Sequence, residues 1–292
     1  MQVRETARAK VNLTLRVLGR RPDGYHDIES LVTFAEVGDC VTLHPGAEIG
    51  VTVGGPFARD IEGANLLERA LELLREVDGE LTLGVVALEK NLPVAAGLGG
   101  GSADAAALLR AVRRANPERA TRVPWYDIAR RLGADVPVCL AGVPATMRGI
   151  GDHLAPLAGR SGGASLPAVL ANPRRLLPTA RVFGALASRR MPDAAKVPLP
   201  DRAFGDRPSL LAHVRATGND LEAPAVALLP VIAEVKAALA GQPGCLAAAM
   251  SGSGPTCFGL FEDKASATRA AAALASRQSG WWVAATSCDW PA

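Results

Sequence analysis

Apolar and polar side chains alternate along residues 11–17, with Val11, Leu13, Leu15 and Val17 on one face and Asn12, Thr14 and Arg16 on the other. A period of two predicts a β-strand, and Lys10 stands at its head. Residues 20–27, RRPDGYHD, are turn chemistry: Pro22 fixes φ, and Gly24 accepts conformations that other residues avoid. Strands follow at 28–34 and 40–43, so the opening pairs antiparallel. The apolar spacing turns helical over residues 65–74, NLLERALELL, with Asn65 as N-cap and Glu68 completing a capping-box-like pattern. A strand at 81–88 leads through a glycine run into a helix ending near Ala115. A short helix over 124–132 is closed by Gly133. Asp135 then stands among apolar residues just ahead of Pro137. A Gly/Ser/Pro-rich stretch around 154–165 marks a boundary. Beyond it come a strand at 166–171, a Pro- and Arg-rich stretch over 173–208 with a helix near 182–188, and a helix over 224–240. A strand at 246–250, a helix over 263–277 and a strand at 281–287 complete the chain. This order predicts an α+β protein of two domains, 1–155 and 156–292, without internal repeats.

Composition narrows the class. The chain has 292 residues, 49% hydrophobic content and a net charge of +3. Its length suits about two domains. The basic residues are scattered in pairs such as Arg113-Arg114 and Arg189-Arg190 rather than gathered in a patch, so nucleic acid is not an expected partner. The five cysteines (Cys40, Cys139, Cys245, Cys257, Cys288) are far apart and form no CxxC; their number is odd, which fits reduced thiols in the cytoplasm better than zinc or a disulfide framework. Residues 1–5, MQVRE, lack the apolar core of a signal peptide. No run approaches the roughly 20 apolar residues of a membrane helix. Nothing in the residues distinguishes a monomer from a homodimer.

The candidate chemistry centres on residues 93–109, PVAAGLGGGSADAAALL, where four of the five residues from Gly97 to Gly101 are glycine. Strand, glycine loop and helix in that order suit a polyanion, most often a phosphate chain. The loop can turn several N–H groups toward one point, and the helix start adds its own unpaired N–H groups and positive dipole end. A plain packing turn would not need so many glycines. The Walker loop is excluded because no Gly-Lys-Ser/Thr follows. A dinucleotide fingerprint fails because Ser102 occupies the third glycine position. HRD and DFG, required of a protein kinase, are absent.

The loop, from Pro93 to Ala103 and on to Ala105, resembles that of the GHMP small-molecule kinases. Further segments agree in order and spacing: AKVNL at 9–13 with GRRPDGYH at 19–26, GADVP at 133–137, GNDLE at 218–222 and SGSGPTC at 251–257. The AKVN and DGYH segments point to the family's isoprenoid-precursor member, which phosphorylates the 2-hydroxyl of a diphosphocytidyl sugar alcohol. The resemblance implies an N-terminal ATP-binding α+β domain and a ferredoxin-like C-terminal α+β domain, with the active site in the cleft between them. It implies Lys10 and Asp135 as catalytic residues. ATP falls to Pro93, Val94, Ala95, Ala96, Gly97, Leu98, Gly99, Gly100, Gly101, Ser102 and Ala103, with Asn65 near the adenine. The acceptor falls to Asn12, Tyr25, His26, Thr179 and Phe183. Mg2+ accompanies ATP; Gly100 and Gly101 stand where the superfamily loop has serines, leaving Ser102 as the candidate protein ligand, while Asp104 is equally explained by the helix dipole. Structural readings stand beside these: Asn65 and Asp135 as helix caps, Ser253 and Thr256 as loop-satisfying hydroxyls. The rival readings are a GHMP kinase for homoserine, mevalonate or a sugar, and a nucleotide-binding protein without catalysis.

Overall fold

The computed structural model describes residues 1–61, 63, 65–157, 165–187 and 204–290. The Arg189-Arg190 pair, the middle of the 173–208 stretch and most of the expected boundary at 154–165 lie outside them. In chain order the elements are β1 (Val3–Arg20), β2 (His26–Pro45), β3 (Gly50–Gly54), α1 (Leu66–Val77), β4 (Gly84–Glu89), α2 (Gly100–Ala115), α3 (Trp125–Leu132), α4 (Val136–Ala141), β5 (Ala145–Gly149) and β6 (His153–Pro156). There follow β7 (Ser165–Asn172), α5 (Thr179–Ala187), α6 (Arg207–Thr217), α7 (Glu222–Leu228), α8 (Val231–Ala240), β8 (Cys245–Met250), β9 (Cys257–Phe261), α9 (Lys264–Arg277) and β10 (Trp282–Asp289). The class is α+β, as expected. No helix among the described residues is long and apolar enough to cross a membrane, and all five cysteines are free of disulfides.

The chain forms two compact units that are not sequential. One comprises Met1–Ala9, Gly38–Val94 and Gly99–Gly142; the other comprises Lys10–Val37, Ala95–Leu98 and Val143–Ala292. In the first unit, β4 lies between β3, to which it runs parallel, and the second half of β2, to which it runs antiparallel from Cys40↔Glu89 to Pro45↔Gly84. Two strands were expected from residues 28–43, yet β2 is continuous. The cause is Gly38: a Cβ there would sit 2.3 Å from the Ala7 carbonyl oxygen, so this glycine lets β1 and β2 approach rather than breaking the strand. Asn65 caps α1, its side chain accepting from the Leu67 N–H. Along α2, Ala103, Ala105, Ala106, Ala107, Leu108 and Leu109 are all buried, and the small alanines admit close neighbours.

In the second unit, β10 pairs along its whole length with β7, β7 pairs with β9, and β9 pairs with β8, all antiparallel. The first half of β2 pairs with β5. A core of Leu15, Val17, Val169, Ala171, Ile232, Val235, Met250, Phe261 and Leu274 joins the sheet to its helices. The helix expected over 224–240 is two helices, because Pro230 cannot continue the first and instead stands as N-cap of α8. α6 was missed. Its signal was present: Asp206 ahead of Arg207-Pro208, with the Asp206 side chain accepting from the Ser209 N–H.

Candidate active site

The catalytic candidate Lys10 is buried in β1, and its backbone N–H donates to the Leu98 carbonyl at 2.9 Å. The N–H of Asn12 donates to Ser251 Oγ (3.1 Å), which donates in turn to the Gly97 carbonyl (2.9 Å). Thr256 N–H reaches the Ala96 carbonyl at 3.2 Å. Residues 96–98 are thereby fixed between β1 and the turn 251–256. Gly97 is required there twice over, by a φ of +73° and because a Cβ would lie 2.4 Å from the Ser251 carbonyl oxygen. The Asn219 amide braces the turn from behind, donating to the Met250 and Gly252 carbonyls, both at 2.8 Å. Asp220 accepts from the Val17 N–H at 2.9 Å. These bonds account physically for the GNDLE and SGSGP segments. Asn12 donates its side-chain N–H to Ser30 Oγ at 2.7 Å, while its Oδ1 is buried without a hydrogen-bond partner.

The same unit holds the residues expected to meet the acceptor. Tyr25 follows the Pro22-Asp23-Gly24 turn, which is held by the Tyr25 N–H donating to Asp23 Oδ1 (3.1 Å), and the residue is 61% exposed. The rings of His26 and Phe183 lie 4.9 Å apart at 31°. His26 Nε2 is buried and has no hydrogen-bond partner. Burial, and then the charge of Arg20, hold the imidazole below its ordinary pKa, so it is neutral at physiological pH. Thr179 Oγ1 and Ser253 Oγ share a hydrogen bond of 2.8 Å; the hydroxyl of Ser253 thus does more than satisfy its own loop.

In the other unit, Gly99 stands as N-cap of α2 with φ +63°, and no side chain caps the helix. The first bond is Ala103 N–H to the Gly99 carbonyl at 2.8 Å, so the N–H groups of Gly100, Gly101 and Ser102 lie ahead of it. A Cβ on Gly101 would meet nothing within 4 Å. Backbone donors, a helix start and open space beside them suit the phosphates of ATP. Not every glycine works through a positive φ: Gly100 and Gly101 are the first helical turn, whereas Ala95 takes φ +49° without being glycine. Pro93, Ala96 and Leu98 are buried, which leaves the loop its backbone to offer. Asp135 is half-buried at the N-terminus of α4 but makes no side-chain cap bond, so the capping account does not explain it. Among the described residues no group of three or more His, Cys, Asp or Glu could hold a metal.

Two polar clusters escaped the sequence reading. Glu29 accepts from Arg16 (2.9 Å) and Arg148 (3.1 Å), and Lys90 is buried between Asp39 and Asp104. Arg16 was legible on the polar face of its strand, but its partners come from distant segments.

The profile described as GHMP kinases N terminal domain matches residues 65–143, and that described as GHMP kinases C terminal matches residues 202–279. A 4-diphosphocytidyl-2-C-methyl-D-erythritol kinase of Cereibacter sphaeroides is 49% identical over 285 residues, covering 95% of this chain and 96% of its own. One from Rhodopseudomonas palustris is 46% identical over 295 residues, covering 98% and 97%. The chain belongs to this family of GHMP kinases. A crystal structure of a 4-(cytidine 5'-diphospho)-2C-methyl-D-erythritol kinase superposes with a TM-score of 0.77 at 35% identity, covering 98% of this chain and 99% of that one. A homoserine kinase from Cytophaga hutchinsonii gives 0.71 at 18% identity over 99% and 95%, a likeness of fold alone. The family of GHMP kinases inferred from the glycine loop is therefore the correct one, as is the member indicated by the AKVN and DGYH segments.

Proposed function

We propose that the chain phosphorylates the 2-hydroxyl of 4-diphosphocytidyl-2-C-methyl-D-erythritol with ATP, giving the 2-phosphate and ADP, in the non-mevalonate route to isoprenoid precursors in the cytoplasm. The observation that carries this reading is the His26–Phe183 ring pair with a buried, unpartnered Nε2, one residue from an exposed tyrosine. A flat heterocycle with polar edges satisfies both needs: a ring face stacks on Tyr25 or Phe183, and an exocyclic or ring donor meets the neutral imidazole. Polar matching of that kind separates cytosine from uracil better than apolar contact does. Thr179 and Asn12 are assigned to the rest of the acceptor.

Phosphoryl transfer asks the protein for position and charge neutralisation more than for covalent chemistry. The N–H groups at the start of α2 hold the phosphates of ATP, and Asn65 stands near the adenine. Asp135 accepts the proton of the attacking hydroxyl. Lys10 orients that hydroxyl and offsets charge developing on the transferred group. Ser102 is the residue we assign to hold a magnesium ion accompanying ATP, which would supply charge neutralisation at the phosphates. We assign the boundary of the two family domains to residue 155.

The test is ADP release by the purified protein with diphosphocytidyl methylerythritol, homoserine and mevalonate as acceptors. Release with the first alone is expected. Preference for either other acceptor overturns the substrate and leaves the kinase, while silence with all three favours a non-catalytic nucleotide binder.

A further inference from the structure

Three charged side chains lie almost without solvent beneath the start of α2. Lys90 Nζ donates to Asp39 Oδ2 at 2.6 Å and to Asp104 Oδ2 at 2.7 Å, and the three side chains are 4%, 0% and 4% exposed. The other oxygen of Asp39 accepts from two backbone groups, the N–H of Asn91 (2.6 Å) and of Leu92 (2.7 Å). Those are the residues that lead into the glycine loop. Asp104 stands in α2 just beyond its first turn, where the chain leaves the loop. The triad therefore brackets the glycine run from entry to exit without using any residue from Gly97 to Gly101.

Its cost argues that it is more than a brace for stability. Desolvating three charges is expensive, and replacing a buried ion pair by apolar groups of similar volume is often neutral or stabilising. The pairing is also incomplete: Asp104 Oδ1 is buried without a partner. What the triad supplies that apolar packing would not is direction. Charge-assisted hydrogen bonds hold their partners at fixed lengths and angles, and here they hold β2, the strand exit at Lys90 and α2 in one register. Gly100 fits the same design: a Cβ there would lie 3.1 Å from Lys90 Nζ and 3.7 Å from Asp39 Oδ2, so a side chain at the first helical position would press on the triad.

We propose that Asp39, Lys90 and Asp104 are positioning residues for nucleotide binding: a buried staple that fixes the angle at which the first N–H groups of α2 meet the phosphates. This rests on the assignment of the loop to ATP made above. The staple touches no substrate. It acts through backbone placement, and placement errors near one ångström are enough to cost large factors in rate or binding.

The test compares Asp104→Ala, which cuts the staple at α2, with Asp104→Asn, which keeps an acceptor for Lys90. Asp104→Ala is expected to raise the KM for ATP about tenfold or more while leaving the KM for the acceptor within about twofold, and Asp104→Asn is expected to restore most of the loss. A purely structural role would lower the melting temperature and move both KM values together, and that outcome overturns the proposal. So does an ATP KM for Asp104→Ala within about twofold of wild type. If Asp104→Ala does not fold, the triple variant Asp39→Asn/Lys90→Met/Asp104→Leu keeps the site filled with matched volume; wild-type ATP affinity in that protein also overturns the staple. ATP titration of the unmodified protein separates the two assignments. No ATP binding by wild type sinks the phosphate loop itself, whereas binding by wild type and Asp104→Ala alike sinks only the staple.

Discussion

At Gly101, in the loop that opens α2, a Cβ would meet nothing within 4 Å; at Gly254, in the turn ahead of β9, it would lie 2.6 Å from Met250 Sδ, and at Gly252 it would lie 2.9 Å from the Gly97 carbonyl oxygen. The two stretches look alike in sequence, each a run of Gly and Ser beside an apolar element. One leaves space beside unpaired backbone donors. The other fills its space with backbone and is tied down by Ser251 and Asn219. Gly101 leaves room for the ligand we propose, whereas Gly97, Gly252 and Gly254 serve packing. The same contrast extends to the residues around them. On the reading proposed above, the phosphate side works through backbone N–H groups, so it is damaged by adding atoms. On the same reading the acceptor side works through side chains such as Tyr25 and His26, so it is damaged by removing them.

The largest expected effect is at Asp135, to which we give the role of general base. Asp135→Asn keeps the shape and removes the basicity, and kcat should fall by roughly a hundred- to ten-thousand-fold, the contribution of a positioned general base, while the KM for ATP stays as it was. Near-normal turnover with the chemical step limiting would remove Asp135 from the mechanism. Next comes truncation on the acceptor side: Tyr25→Ala should raise the KM for the acceptor about 5- to 150-fold, the worth of roughly 1–3 kcal/mol of stacking, and spare the KM for ATP. Equal effects on both substrates would place Tyr25 in folding rather than recognition.

A pair of additions tests the glycines directly. Gly101→Val should leave the melting temperature near wild type and raise the KM for ATP about tenfold, because only the ligand's space is taken. Gly254→Ala should do the reverse, costing roughly 1–3 kcal/mol in denaturant unfolding through its positive φ and the Met250 contact, with nucleotide binding intact. If both variants behave the same way, the distinction between open and filled glycine runs is wrong.

The smallest effect is one of pH, and it has opposite signs in the two units. Burial raises Asp104 from 3.8 to about 7, so between those values the folded state holds a proton that the unfolded chain has released. Its contribution to stability therefore declines as pH rises through that window. His26 is lowered from 6.5, so the unfolded chain holds the extra proton and the contribution improves as pH rises toward 6.5. Scanning calorimetry from pH 5 to pH 8 should show Asp104→Asn gaining on wild type as pH rises, and His26→Gln losing ground. Slopes of the same sign would show that burial does not govern both groups.

Local rules were enough wherever an element carries its own punctuation. Asn65 before α1, Gly133 after α3 and Asp263 before α9 each sit beside a clear periodicity, and those helices stand where the spacing puts them. The glycine loop was legible because four glycines before a helix have few other uses. What escaped was decided by distant segments. Gly38 reads as a break but is a crossing point, since Ala7 is its neighbour only after folding. β5 and β6 were too short and mixed to announce themselves, and β5 exists because β2 offers it an edge. Lys90 and Asp104 are 14 positions apart and Asp39 a further 51 from Lys90, and no pattern in the sequence links them.

Because both units draw on separated stretches of the chain, the order of synthesis matters. β1 and β2 leave the ribosome first, yet Thr33 in β2 donates to the carbonyl of Asp289, 256 positions later, and Ala35 pairs with Cys288. The second unit therefore cannot close until the last strand has emerged, and its early strands wait with bare edges through most of translation, the condition in which unpaired strands recruit wrong partners. The first unit needs nothing beyond Gly142 and can finish while the remainder is still being made. A nascent chain stalled once Gly142 has emerged should already resist protease over residues 38–94 and 99–142, while residues 10–37 and 95–98 remain open to cleavage until β10 is released.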